Sequence, residues 1–205
     1  MEDAIILDLQ TVHNYTAAHS QPAPPGGTPA AHASGVAIHP RPTLKRSTLP
    51  VKRERSHSLE RVEERSLPEL LPLARDHCEL NGVDPRDNEL LAMFRALIAD
   101  PGHEGVQFLA SDRDGHAAGF ASLCWTWGTW ATGRIGILGD LYVAPQARGT
   151  GIGEALIEAC RTECRAHGAR GLTWSTAKDN ARARALYERV GARSRVDWID
   201  YWLDP

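Results

Sequence analysis

The chain has 205 residues, four cysteines and a formal net charge of −3. This length suits one domain of ordinary size with an additional segment, and the mild negative charge favours cationic ligands such as amines over nucleic acid. No stretch approaches the roughly 20 apolar residues of a membrane span, and the N-terminus lacks the basic start and apolar length of a signal peptide. We therefore predict a cytoplasmic protein with reduced thiols and no membrane partner.

The first 57 residues have the composition of a disordered arm. Their prolines alternate with Gly, Ala, Ser and Thr, which bury too little apolar surface to offset the entropy of ordering. A basic run from Arg41 to Arg55 has no interleaved aromatic residues, so a solvated linker is favoured over a nucleic-acid-binding segment. The histidines of this region are too scattered for a metal site. We predict a disordered Pro- and His-rich arm at 1–57 and an ordered domain at 58–205.

Two helices are predicted after a short edge strand at residues 59–63. Ser66 and Glu69 have the spacing of a capping box, and the apolar spacing that follows predicts a helix that ends at Asn81-Gly82. Asp84-Pro85 starts the second helix, whose apolar residues recur at helical spacing until residues 100–102 end it.

The middle of the chain predicts antiparallel strands. Residues 106–110 form one strand, the turn at 112–115 reverses the chain, and residues 118–127 return beside it. A glycine-containing loop then leads into a largely apolar strand at 135–143.

The last part of the chain predicts a β-α-β unit. A helix ending at 167–168 connects the strand at 135–143 to a strand at 172–176, so these two strands should be parallel. A further helix at 180–191 and a last strand at 196–203 complete the domain. We predict a mixed α/β fold with a mostly antiparallel sheet, one parallel strand pair and flanking helices.

A glycine-rich loop follows the strand at 135–143. Its glycines, Gly149, Gly151 and Gly153, allow a close approach of ligand to backbone at a helix start, where free N–H groups and the helix dipole suit a pyrophosphate. The spacing G-x-G-x-G does not match the dinucleotide fingerprint G-x-G-x-x-G, and the Lys-Ser or Lys-Thr of a P-loop is missing after Gly151. A glycine-rich turn without a ligand is the remaining alternative.

The motif Q-x-x-G-x-G from Gln146 to Gly151, after LYVAP, resembles the acetyl-CoA loop of the GCN5-related N-acetyltransferases, the GNAT superfamily. A second family element is Asn180 followed seven residues later by Tyr187 within ALYERVGA. The resemblance covers 58–205 and implies the GNAT fold, in which the two parallel strands splay apart.

The resemblance implies acetyl-CoA as co-substrate, with no metal. In this family the loop amides hold the pyrophosphate and the preceding strand offers its edge to the pantetheine amides and the acetyl carbonyl. A bulge near Asp140 or Leu141 would free the strand's N–H groups, and Gly139 makes such a bulge inexpensive. The predicted cofactor-binding residues are Leu141, Tyr142, Val143, Gln146, Arg148, Gly149, Thr150, Gly151, Ile152, Gly153, Asn180 and Ala183.

Two catalytic residues are predicted, each with an alternative. The family's tyrosine reaches the thioester sulfur, so Tyr187 would donate a proton to the departing thiolate; simple packing between helix and sheet is the alternative. An alkylamine is neutral in only about one molecule in 10³ at pH 7, so a base must take its proton. Asp140 is the first candidate and Asp197 and Asp200 are further ones, while an ordinary structural or solvent-facing carboxylate is the favoured interpretation of each.

The predicted reaction is direct transfer of acetyl from acetyl-CoA to a primary amine of a small molecule. A protein or peptide N-acetyltransferase and a non-catalytic acyl-CoA-binding module are the alternatives. The motifs look most similar to those of diamine and polyamine acetyltransferases, but Gly139 stands where these enzymes commonly carry an acidic residue. Trp125, Trp127 and Trp130 are candidates for an acceptor pocket or for core or dimer packing. Dimers are common in proteins of this kind, so a homodimer is compatible with the resemblance.

Overall fold

The structure is a computed structural model that describes residues 57–194. Residues 1–56 of the predicted arm lie outside the described residues, as does the predicted last strand at 196–203 with Asp197 and Asp200. Between residues 57 and 194, no helix is long and apolar enough to span a membrane.

The described residues form five strands and four α-helices. The strands are β1 (His57–Arg61), β2 (Gly105–Asp112), β3 (Ala117–Gly128), β4 (Gly133–Val143) and β5 (Leu172–Thr173). The α-helices are α1 (Leu67–Leu80), α2 (Asp87–Ala99), α3 (Ile152–His167) and α4 (Ala181–Arg189), and two 3-10 turns occupy Glu64–Ser66 and Pro145–Ala147.

The strands form one sheet in the order β1-β2-β3-β4-β5. The first four strands pair antiparallel, and β4 pairs with β5 in parallel through Gly136–Leu172 and Ile137–Thr173. The predicted mixed α/β fold with one parallel strand pair is therefore confirmed.

Apolar side chains cover both faces of this sheet. On one face, Leu141 and Val143 of β4 pack in a cluster with residues of α3 and α4. On the other face, Phe120 and Tyr142 pack in a second cluster with residues of α1 and α2. The alternation of strand side chains thus places successive β4 residues on opposite sides of the sheet.

A β-bulge separates two parts of β4. Ser122 of β3 pairs with Asp140, and the next β3 residue, Leu123, pairs with Leu138, so Gly139 is left between them. The bulge lies one residue before its predicted position, at the residue whose missing side chain makes the distortion inexpensive.

The parallel strand pair opens after two residue pairs. β5 ends at Thr173 rather than at the predicted residue 176, while β4 continues to Val143. No described residue pairs with β4 on the β5 side beyond Ile137. The shorter β5 leaves one edge of β4 open next to the bulge.

The predicted capping box at Ser66 and Glu69 is not formed. The Ser66 hydroxyl donates to Glu60 Oε1 (2.8 Å) and accepts from the Glu63 amide (3.3 Å). It therefore stabilises the 3-10 turn that precedes α1, and Ser66 makes no side-chain cap to α1 itself.

The α2 helix begins later than predicted, and α3 begins only after the glycine loop. α2 begins at Asp87, where the Glu89 carboxylate accepts from the Arg86 amide (2.9 Å), rather than at residues 84–85. α3 begins at Ile152, because the left-handed backbone conformation of Gly151 prevents the helix from extending back to the 3-10 turn.

Candidate active site

The open edge of β4 presents backbone groups of Leu141 and Val143. The Ala144 amide donates to a β3 carbonyl (2.9 Å), so Ala144 and, by the antiparallel alternation, Tyr142 direct their backbone groups toward β3. The N–H and C=O groups of Leu141 and Val143 point the other way. The Val143 carbonyl there accepts from Arg148 Nε (3.0 Å), which leaves the amides of both residues for a ligand.

Tyr142 is directed away from this edge, which differs from the strand-edge role predicted for it. Its side chain is buried beside α1, and its hydroxyl lies 3.4 Å from Asp76 Oδ2 as a hydrogen-bond donor. Burial, together with the charge of Asp76, raises the pKa of Tyr142 to about 12, although Arg148 opposes the increase. Tyr142 is thus a neutral residue that connects β4 to α1.

The glycine loop is held in a conformation that needs glycine at two positions. Gly149 and Gly151 have φ values of +83° and +94°, in the left-handed region that side chains disfavour. Thr150 Oγ1 donates to the Ala147 carbonyl (2.7 Å) and ties the loop to the preceding turn. Gly151 caps α3, so the first-turn amides of α3 emerge from the loop without intrahelical acceptors.

A cleft of about 290 Å³ lies between this loop, the end of β4 and α4. Three guanidinium groups border it, those of Arg148, Arg182 and Arg189. Arg189 Nε donates to the Glu154 carboxylate (2.8 Å), which offsets part of the positive charge. The remaining charge and the N-terminal dipole of α3 favour an anionic ligand such as a pyrophosphate.

Arg182 and Arg189 were missed by the sequence predictions. They lie seven residues apart on α4, which places both on one face of the helix. That spacing, next to the predicted cofactor residues, was the available signal.

The remaining predicted cofactor residues occupy two different environments. Asn180 and Ala183 are buried, and Asn180 Oδ1 accepts from the Ala183 amide (3.1 Å), so this pair fixes the start of α4. Gln146 is exposed in the 3-10 turn before the loop. Ile152 is buried at the start of α3, and Gly153 lies against Leu186 of α4.

Tyr187 lies on α4 in the same apolar cluster as Leu141 and Val143. Its ring packs edge-on against Trp174, with the centroids 5.2 Å apart. Its hydroxyl is buried and makes no hydrogen bond of normal geometry within the described residues. The Thr176 side chain nevertheless lies close enough to lower the pKa of this hydroxyl. Burial raises the pKa of Tyr187, with partial opposition from Thr176, so the phenol is protonated at neutral pH.

Asp140 lies on the opposite face of the sheet, where it is buried next to α1. Its Oδ1 atom is 3.4 Å from His77 Nε2. Burial and the charge of Asp140 raise the pKa of the Cys78 thiol, and the same causes, with a smaller one from Glu104, raise that of Cys124 to about 11.

His77 was also missed by the sequence predictions. It continues the buried face of α1 formed by Leu70, Leu73 and Ala74. A histidine at an apolar position of a helix was the signal that pointed to it.

The three candidate tryptophans lie at the far end of β3 and β4. Trp125 is buried, and its ring stacks on His167 at 3.9 Å. Trp127 is exposed, with the Arg134 guanidinium 4.7 Å from its ring centre, and Trp130 lies in the turn between the strands. Because this end of the hairpin is away from the bulge and the open edge, the prediction of an acceptor-pocket wall is not supported for these residues.

Within residues 57–194 no group of three or more His, Cys, Asp or Glu side chains is arranged to hold a metal ion. All four cysteines are free thiols.

The family model described as "Acetyltransferase (GNAT) family" matches residues 68–192. The chain is 36% identical over 102 residues to the uncharacterized N-acetyltransferase YhfO of Bacillus subtilis, and this match covers 50% of this chain and 68% of that protein. It is 32% identical over 130 residues to an aminoglycoside N(6')-acetyltransferase type 1 of Stenotrophomonas maltophilia, and this match covers 60% of this chain and 83% of that protein.

Solved structures of similar fold include a probable acetyltransferase with 25% identity and a TM-score of 0.63, covering 72% of this chain and 97% of that one. Another is AAC(6')-Iy in complex with a bisubstrate analog, CoA-S-monomethyl-acetylneamine. It has 18% identity and a TM-score of 0.62, and covers 73% of this chain and 99% of that one. At this identity the second likeness shows the fold alone.

Proposed function

The chain belongs to the acetyltransferase (GNAT) family of N-acetyltransferases, and from this premise we propose that it transfers acetyl from acetyl-CoA to a primary amine of a small molecule. The observation that carries the proposal is the open edge of β4 beside the glycine loop at the start of α3. A relative named as an aminoglycoside N-acetyltransferase supports an amine-bearing small molecule as the acceptor.

The pyrophosphate of acetyl-CoA would bind at the glycine loop. The amides from Arg148 to Gly153 and the first turn of α3 supply donors, while Arg182 supplies positive charge at the same cleft. Asn180 and Ala183 contribute by fixing the start of α4, which forms one wall of this cleft.

The pantetheine arm would lie along the open edge of β4. The amides of Leu141 and Val143 face this edge and would donate to the pantetheine amide oxygens and the acetyl carbonyl oxygen. Tyr142 would not share this role, because its backbone groups belong to the ladder with β3.

Direct attack of the amine on the thioester also requires a proton donor for the departing sulfur atom. The neutral amine attacks the thioester carbonyl carbon, a C–N bond forms, and negative charge develops on the carbonyl oxygen, where the Leu141 amide would stabilise it. The C–S bond breaks and the thiolate takes the proton of the Tyr187 hydroxyl, while the second N–H proton of the attacking nitrogen passes through solvent to the Tyr187 phenolate, so that the amide and the CoA thiol are both neutral and Tyr187 is restored. Because burial raises the pKa of Tyr187, its hydroxyl is protonated at neutral pH and available as a donor.

The amine also has to lose a proton. We assign this proton to Asp140, which follows the bulge and directly precedes Leu141, with its carboxylate on the face of the sheet that α1 covers. An N–H bond of the ammonium breaks and an O–H bond forms on Asp140, so the amine attacks in its neutral form.

A panel of acceptors incubated with acetyl-CoA and the full-length protein tests this function. The panel should contain aminoglycosides, diamines, polyamines and peptides with free amino groups, and the products should be detected by mass spectrometry together with CoA release. We expect acetylation of at least one small amine at its primary amino group. Turnover with peptides alone would establish the peptide N-acetyltransferase alternative, and acetyl-CoA binding without turnover would establish the binding module. A homodimer and a cytoplasmic location stay predictions.

A further inference from the structure

Asp140 and His77 are the one buried carboxylate and the one buried imidazole among residues 57–194. Their residues are 6% and 5% exposed, and they come from β4 and α1. They also contact each other, with His77 Nε2 3.4 Å from Asp140 Oδ1. The only two groups of these kinds inside the described fold are therefore partners.

A carboxylate in this position needs its partner. An ionised group without a compensating hydrogen bond or opposite charge is costly to bury. No other cationic side chain of the described residues lies within ion-pair distance of Asp140, so the His77 ring is the group that can compensate its charge.

The ring is oriented by its packing. It lies edge-on to Phe120, with the ring centres 5.9 Å apart, and tilted against Tyr142 at 5.8 Å. Nδ1 is buried without a hydrogen-bond partner, so a proton on Nδ1 would be an unsatisfied donor. The favourable arrangement places the proton on Nε2, the ring nitrogen that lies 3.4 Å from Asp140 Oδ1.

The other titratable groups around this pair are Cys78 from α1, Cys124 from β3, Tyr142 from β4 and Asp76 at the exposed side of α1. The pKa values of the two thiols and the phenol are raised, mainly by burial, so all three groups are neutral at pH 7. Asp76 is exposed to solvent and bound to the Tyr142 hydroxyl rather than to the pair.

Resting on the proposed function, we propose that His77 is a positioning residue for the acetyl transfer. Its Nε2–H group faces the Asp140 carboxylate at 3.4 Å and holds it in the orientation in which it accepts the proton of the amine. When the O–H bond forms on Asp140, the same contact holds the acid in place.

Two variants of His77 separate this role from simple packing. His77→Phe keeps an aromatic ring between Phe120 and Tyr142 but removes the donor, whereas His77→Gln keeps an N–H donor of similar reach. In His77→Phe the buried Asp140 carboxylate faces an apolar ring in place of its one partner, and an uncompensated buried charge is costly, so the acid limb of the kcat/KM profile should move up by about one pH unit, which is about tenfold lower activity below the limb. His77→Gln should restore most of this loss, and KM for acetyl-CoA should be unchanged in both.

His103→Phe is the matched control. His103 Nδ1 lies 2.9 Å from Asp100 Oδ1 in a second His-Asp pair, but the His103 side chain is 74% exposed. Water already solvates this carboxylate, so the pH profile should not move. A loss of the same factor at every pH in His77→Phe, or no loss at all, would overturn the positioning role.

Nitrogen-15 NMR spectra of the imidazole rings test the contact between His77 and Asp140 without any turnover. They remain a test of the proposal if His77→Phe does not fold. The native protein should show His77 protonated at Nε2, and Asp140→Asn should change the Nε2 shift. Protonation at Nδ1 alone, or unchanged shifts in Asp140→Asn, would contradict the inference. Failure of all amines in the acceptor panel would instead overturn the proposed function, with the His77 spectra unaffected.

Discussion

A Cβ atom on Gly153 would lie 3.0 Å from Cδ2 of Leu186. The first turn of α3 and the middle of α4 therefore approach each other so closely that a side chain at position 153 would require Leu186 to shift by a few tenths of an ångström. Both residues border the arginine-lined cleft, so a larger residue at position 153 would disturb the lining of this cleft.

Gly153→Val should separate the two helices. Overpacking of this kind typically costs about 1–3 kcal/mol, and the displaced Leu186 should also weaken acetyl-CoA binding. Urea unfolding and calorimetric titration with acetyl-CoA measure the two effects. Gly171→Ala is the control, because its Cβ would meet no atom within 4 Å and its backbone is not left-handed. Equal stability of both variants would contradict the close approach.

Gly151→Val should weaken acetyl-CoA binding at least tenfold, which corresponds to about 1.4 kcal/mol. The φ value of +94° is strained for a β-branched residue, so the loop and the start of α3 should change conformation. Gly151→Asn is the informative comparison, because asparagine tolerates the left-handed region better. Retained binding in Gly151→Asn would assign the loss to backbone strain, and a loss in both would assign it to steric intrusion on the phosphate site. Unchanged binding in Gly151→Val would refute the loop assignment.

Tyr187→Phe should lower kcat about 100-fold while leaving the acetyl-CoA affinity nearly unchanged, because only proton donation to the thiolate is lost. Burial raises the pKa of Tyr187 above that of a free phenol, so its deprotonation should produce no alkaline loss of activity below about pH 10. Tyr142→Phe serves as the control, since its hydroxyl contacts exposed Asp76, which has no role in the proposed reaction. An equal loss of binding in Tyr187→Phe would make Tyr187 a cofactor contact instead.

The sequence contained enough information for the sheet and for the glycine loop. The strand pattern before Pro145 and the glycines after it are local features, and their consequences in the structure are local as well. The bulge was predicted to within one residue because Gly139 is the residue that tolerates it most easily.

Contacts between distant elements were less predictable. The Ser66 hydroxyl donates a hydrogen bond to Glu60, which lies before α1. This hydrogen bond takes the place of the predicted cap between Ser66 and the first turn of α1. The pairing of His77 with Asp140 depends on how α1 crosses the sheet, and no spacing in the sequence encodes that crossing. The direction of the Tyr142 backbone likewise follows from the ladder register rather than from the motif.

Cys78 should be the first thiol to react with a soluble alkylating reagent. Cys78 and Cys124 are half-buried, whereas Cys160 and Cys164 are buried. Burial raises the pKa of all four thiols, to about 11 for Cys124 and for Cys164, while for Cys78 the increase is smaller. A thiol with a raised pKa has a smaller thiolate fraction at pH 8 and is alkylated more slowly. We therefore expect one rapidly alkylated cysteine in the native protein and four after unfolding. Peptide mapping after brief iodoacetamide treatment identifies the site, and fast modification of Cys160 would contradict its burial in the α3 core.

Removal of residues 1–56 should leave acetyltransferase activity within about twofold of the full chain, since the described elements begin with β1 at His57 and the cores use residues from Val62 onward. Removal of residues 1–61 is the matched control. It deletes β1, whose register from His57–Asp112 to Arg61–Phe108 covers the edge of β2, and should therefore lower the melting temperature and expose an unpaired strand. Activity and thermal unfolding of the two truncations decide the boundary, and an inactive but folded 57–205 protein would show that the arm takes part in the reaction.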